Sequence, residues 1–149
     1  MSATPTTPAT ALADLYEADE TAWLEAMSEL AACRRVGEMD FPHLSEYLSD
    51  MAKRDRREVK SRLVVLLIHM LKWEHQPDKR TGSWQATLLL QRRELADLLD
   101  SRTLRNHADA TLADAYQNAR RVAAVETGLP AQTFPEACPF TVEQLVGDR

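Results

Sequence analysis

The sequence predicts an all-α fold: a single-domain bundle of about four main helices, a packed, proline-containing C-terminal tail and a short last helix. Three observations predict it. Apolar residues recur at spacings of three and four over long stretches, the period of one helix face. Only 4 glycines occur among 149 residues rich in Leu, Ala, Glu and Arg, most of them strong helix formers. Gly37, Pro77, Gly128 and Pro130 fall between the periodic segments, where helices stop. An apolar fraction of 44% and a charged fraction of 28% exclude a disordered chain, a collagen-like chain and a disulfide-stapled miniprotein.

The first 11 residues, MSATPTTPATA, read as a disordered Thr/Pro-rich tail, and 12–149 as the one helical domain. The first helix is expected over 12–36, on Leu12, Tyr16, Trp23, Met27 and Leu30. Asp19 is a good capping residue and offers a break, and Gly37 is placed for a left-handed cap. The second starts after Asp40, with Pro42 tolerated in its first turn. Leu44, Tyr47, Leu48 and Met51 form one stripe; Val59, Leu63, Leu66, Leu67, Met70 and Trp73 continue it. The polar stretch 53–58 between them puts Asp55 on the stripe, which requires either an arginine partner or a kink. Asp50 with Arg54 and Glu58 with Arg62 have the favourable acid-first i,i+4 order and support a helix through the stretch. Pro77 forbids continuation.

The third helix follows the turn DKRTGS, capped by Thr81 or Ser83, with Trp84, Leu88, Leu95 and Leu99 inward. The fourth covers 104–127 on an alanine-rich seam that ends in Glu126, and Gly128 and Pro130 close it. The following tail has three prolines but also Phe134, Cys138 and Phe140, anchors that disordered tails rarely carry. Thr141 and Gln144 form a capping box for a last short helix.

The net charge of −5 is unevenly spread: −8 over residues 1–50, +4 over 51–100 and −1 over 101–149. The start of the chain lacks the basic and apolar character of a secretory signal. The longest apolar run, 63–71, has 9 residues interrupted by His69, about half of the ~20 a membrane span needs. Cys33 and Cys138 lie far apart, which fits reduced thiols and a cytoplasmic, bacterial setting better than a bridge.

Two features ask for an explanation. The run 63–71 is apolar on all faces, so it is covered either by the chain itself or by a second copy or partner. Glu126 sits on the inward seam at a helix carboxyl end, where the dipole disfavours it, and needs a cation from Lys72, Arg80 or Arg120. No Gly-rich phosphate loop, nucleophile elbow or zinc-ligand spacing is present. No catalytic set, cofactor or metal is therefore expected. His69 reads as a core histidine bonded to a carbonyl. The basic face Lys53, Arg54, Arg56, Arg57, Lys60 and Arg62 reads first as a solvated, salt-laced helix and second as a nucleic-acid surface; no aromatic is interleaved for base stacking.

LYEAD with Trp23, the run SRLVVLLIHMLKW with Gln76 and Pro77, Arg80 with Ser83 and Trp84, Tyr116 with Ala119 and Arg120, and ETGLP followed by FPEACPFTVEQL occur in a specific order. With them the chain resembles the bacterial family called domain of unknown function 29, over nearly its whole length. It departs from that pattern at 88–90, which is apolar where a polar and often basic face is usual, and in its longer Thr/Pro tail. The resemblance implies an all-helical protein and no established activity. It also implies a polar cluster of His69, Lys72, Gln76, Arg80, Ser83, Arg120 and Glu126, either a binding cluster or a knot holding helix ends to the tail. The expected function is a non-enzymatic protein-interaction module, self-associating or docked on another protein, with no membrane partner. The alternatives are nucleic-acid association through the basic face and a small enzyme around His69, Arg80, Arg120 and Glu126.

Overall fold

The computed structural model describes residues 9–147, and these are all-α as expected. Six helices follow in order: α1 (Ala9–Ala18), α2 (Glu20–Ala32), α3 (Phe41–His75), α4 (Gly82–Leu98), α5 (Arg102–Thr127) and α6 (Val142–Val146). No strand occurs among the described residues. They group into two compact units that divide between Ala52 and Lys53, inside α3. The expected tail over 1–11 lies outside the described residues up to 8, and 9–11 already belong to α1.

The first expected helix is two. Asp19 breaks it: its backbone is non-helical and its side chain accepts from the Ala22 N–H at 3.1 Å, giving α2 its own start. The stop at Gly37 is corrected as well. α2 closes earlier, with Arg35 N–H on the Leu30 carbonyl and Arg34 left-handed at φ 57°, the pattern of a Schellman ending on a non-glycine residue. Gly37 lies in a 3-10 turn, Val36–Glu38.

α3 is one helix of 35 residues, roughly 50 Å long. Its helical hydrogen bonding runs on through Asp55, which is exposed, so the apolar stripe is interrupted where it meets solvent. Arg62 reaches Glu58 at 2.9 Å, the predicted i,i+4 pair.

The first unit packs Leu12, Trp23 and Met27 beneath Tyr16, Leu44 and Tyr47. Leu48, placed on the inner stripe by its spacing, is instead exposed. The second unit has the larger core. Leu63, Leu66, Leu67, Ile68 and Leu71 of α3 are buried there with Leu88 and Leu95 of α4 and the seam Ala108, Ala115, Tyr116, Ala119 and Ala123 of α5. The chain thus covers most of its own all-round apolar run. The α5 alanines leave no side-chain bulk on that face, so a neighbour can approach closely.

α5 is capped by Ser101 and ends at Gly128, left-handed at φ 71°. The tail packs as expected: Phe134 is buried, and Val142 and Leu145 of α6 enter the core. The Tyr116 hydroxyl donates to the Pro135 carbonyl, and Gln117 donates to the Glu136 carbonyl at 2.8 Å. Thr141 and Gln144 form the predicted reciprocal capping box.

Candidate functional site

The seven polar residues singled out in the sequence all lie in the second unit, and the structure distributes them over separate tasks. His69 donates Nδ1–H to the Val65 carbonyl of its own helix at 2.9 Å. Lys72 meets Glu126 at 3.0 Å and lies over the Trp84 ring, 4.8 Å from its centre. Glu126 is not on the buried seam: its side chain is 46% exposed, against 15% for Lys72. The seam's last buried position is Ala123, and the helix edge has turned outward by Glu126. Arg80 donates Nε–H to the Trp73 carbonyl at 2.8 Å and stacks over the Trp73 ring at 4.7 Å. It thereby satisfies a carbonyl in the last turn of α3, which has no partner within the helix. Gln76 continues that turn, its N–H on the Lys72 carbonyl. Ser83 is exposed, and its carbonyl accepts from Thr87.

Arg120 stands apart from this group. It lines an open-sided cleft of about 410 Å³ with His75 and the tail segment 132–136. The His75 ring meets the Phe134 ring edge-on at 4.9 Å, so the end of α3 and the tail form adjoining parts of the wall. Two guanidinium Nε atoms are buried without a hydrogen-bond partner among the described residues, those of Arg92 and Arg120. Arg92 directs Nη2 at the Met70 sulfur, 3.2 Å away, whereas Arg120 faces the cleft. Burial raises the pKa of the neighbouring Tyr116 hydroxyl against the opposing charge of Arg120. Burial likewise pushes up the Cys138 thiol. Of the cleft residues, sequence reasoning named Arg120 and missed His75. The Phe134 anchor was the one signal that could have pointed there, because it brings the tail over the end of α3.

The basic face is only partly free. Lys60 pairs with Asp114 at 3.0 Å, and Arg62 with Glu58 at 2.9 Å and Glu94 at 3.9 Å. Lys53, Arg54 and Arg57 are exposed and have no ion pair among the described residues; Arg56 is partly buried and engaged.

A second polar centre, in the first unit, was not singled out as a site. Asp40 accepts from the Trp23 indole N–H at 3.1 Å and the His43 Nδ1–H at 2.6 Å, and the Met27 sulfur accepts from its N–H at 3.3 Å. Tyr16 stacks on His43 with ring centres 4.3 Å apart. Burial works to raise the Asp40 pKa, but the hydrogen bonds from His43 and Trp23 together outweigh it and hold the carboxyl below its ordinary value.

Among the described residues no three His, Cys, Asp or Glu side chains gather as metal ligands, and no helix is long and apolar enough to cross a membrane. The geometry defines a helical protein whose polar residues mostly tie helix ends and tail together, with a cleft open beside Arg120. The chain belongs to the family described as Domain of unknown function DUF29, whose model matches residues 15–149. Comparison with curated proteins and with solved structures gives no match.

Proposed function

We propose that this protein is a non-catalytic helical interaction module that associates with a second copy of itself or with another protein in the bacterial cytoplasm. The observation that carries the reading is the exposed pair Leu89 and Leu90 on α4, 72% and 55% exposed, at the stretch where the chain is more apolar than its resemblance led one to expect. Contiguous apolar surface is where proteins associate, and these two side chains are the most exposed leucines of α4. The free thiols of Cys33 and Cys138 support a reducing compartment. Sedimentation velocity over a range of concentrations tests the reading, together with capture from the native host by wild type and by the double variant Leu89→Lys, Leu90→Lys. The expected result is a dimer, or a specific captured protein, that the double variant loses. A monomer at every concentration, with nothing captured that distinguishes the two baits, overturns it.

A second reading is favoured by Lys53, Arg54 and Arg57, three exposed cations without ion-pair partners among the described residues. Nucleic acid held there should be released between low and moderate salt, because phosphate contacts displace counterions. Binding insensitive to salt counts against it. The enzyme reading needs His69, Arg80, Arg120 and Glu126 in one pocket. The cleft takes in Arg120 alone of the four, so that reading is not carried forward.

A further inference from the structure

We propose that the cleft beside Arg120 and His75 binds a small monocarboxylate. The site goes beyond the interaction reading and does not depend on it.

Arg120 is a partly buried cation whose Nε–H has no acceptor, and no carboxylate among the described residues lies within ion-pair distance of it. A guanidinium withdrawn from water costs free energy unless an anion and hydrogen bonds compensate. Four other cations of this unit have theirs: Lys60 has Asp114, Arg62 has Glu58 and Glu94, Lys72 has Glu126, and Arg105 has Glu143. Arg120 instead fronts a cleft of about 410 Å³, within the usual size range of small-molecule sites. An anion entering that cleft supplies the counter-charge that the protein leaves out.

The lining narrows the class of anion. A planar carboxylate matches the fork of a guanidinium with two parallel hydrogen bonds. His75 and Thr133 add donors to the wall, and the exposed Pro135 with the His75 ring offers an apolar surface for the body of the acid. Glu136 also lines the cleft. Its negative charge is tolerable opposite a single carboxylate beside a cation, but it works against a dianion such as phosphate. The cleft therefore fits a singly charged acid with a compact apolar or aromatic body.

The test is titration of the 149-residue chain with benzoate, and separately with inorganic phosphate, at low salt. Affinity is read by calorimetry and the His75 ring resonance by NMR. Saturable benzoate binding that shifts the His75 ring is expected. Phosphate should bind at least about tenfold more weakly, and so should benzoate to Arg120→Gln, as follows from losing a charge-assisted bond. Circular dichroism checks that Arg120→Gln is folded. Should it not be, His75→Gln decides, with weaker benzoate binding expected. The proposal is overturned by the absence of saturation, by phosphate binding as tightly as benzoate, or by a folded variant that binds undiminished.

Discussion

The two compact units solve the same problem with different means. Among its described residues the first buries only Leu12, Trp23 and Met27 fully enough to count as core, and it places an ionised Asp40 against the indole of one and the sulfur contact of another. The second buries a continuous set from Val59 to Leu145, and none of the buried core side chains there is charged. A small core does not specify its own geometry by packing alone, because few side chains interlock. A carboxylate with directional bonds to Trp23 and His43 adds that specification. The large core is determined many times over, and its polar groups are left to cap helix ends and fasten the tail.

The sharpest way to break this comparison is Trp23→Ala. Loss of a buried Trp should cost the first unit about 3–5 kcal/mol. Hydrogen exchange should show α1 and α2 losing protection while the amides of α5 keep theirs. If α5 opens to the same extent, the two units unfold as one and the contrast drawn between them fails. Leu67→Ala tests the other side, since Leu67 is fully buried among α3 and its neighbours. A cost of about 2–5 kcal/mol in urea unfolding is expected, with exchange protection falling along α5 and little change in α1 and α2.

What was legible in the sequence and what was not divides along the same physical line. The caps at Asp19, Thr81 and Thr141 and the left-handed Gly128 are decided within a few residues, and local chemistry is enough to read them. So is the burial of Phe134, because no solvated tail needs such an anchor. The orientation of Glu126 was not legible: adjacent positions on a helix differ by about 100°, and a seam extrapolated to the last turn leaves the buried arc. The early end of α2 at Arg34 was missed because glycine is the usual left-handed residue and Gly37 stood close by. The Asp40 centre and the Arg120 cleft were missed for a third reason. Trp23 and Asp40, or His75 and Phe134, become neighbours only once helices and tail have docked, and no periodicity records that event.

Asp40 gives a prediction of intermediate size. Asp40→Ala removes a partly buried, ionised acceptor from the Trp23 N–H and should cost about 1.5–3 kcal/mol in the first unit. The wild type should also show an acid dependence of definite sign. The folded-state pKa of Asp40 lies below its ordinary value of 3.8. A lowered pKa means that the folded form holds its proton less tightly than the unfolded one. The stabilisation is therefore present above that ordinary value and is lost as the pH falls from there through the folded-state pKa. Near-ultraviolet circular dichroism, or exchange in α1 and α2, followed between pH 6 and about pH 2 should show this loss. In Asp40→Asn that part of the acid dependence should vanish. An unchanged profile would mean that Asp40 does not stabilise the first unit through its charge.

The smallest expected effect concerns Glu126, the carboxylate the sequence placed on the inward seam, and the cation it meets. Had Lys72 and Glu126 been sealed between helices, breaking the pair would leave an uncompensated buried charge at a cost of about 3–5 kcal/mol. The structure instead leaves nearly half of the Glu126 side chain in solvent, and Lys72 keeps a second contact on the Trp84 ring. Exposed pairs couple by about 0.2–1 kcal/mol and less in high salt. A double-mutant cycle over Lys72→Met and Glu126→Gln should therefore give a coupling of that order, shrinking further as salt is raised. Lys72→Met should cost more than Glu126→Gln, because it also removes the cation over Trp84. A coupling above about 2 kcal/mol that ignores salt would belong to a desolvated pair. It would put Glu126 back on the seam and make the carboxyl end of α5 a tighter, more specific junction with α3 than the observed exposure allows.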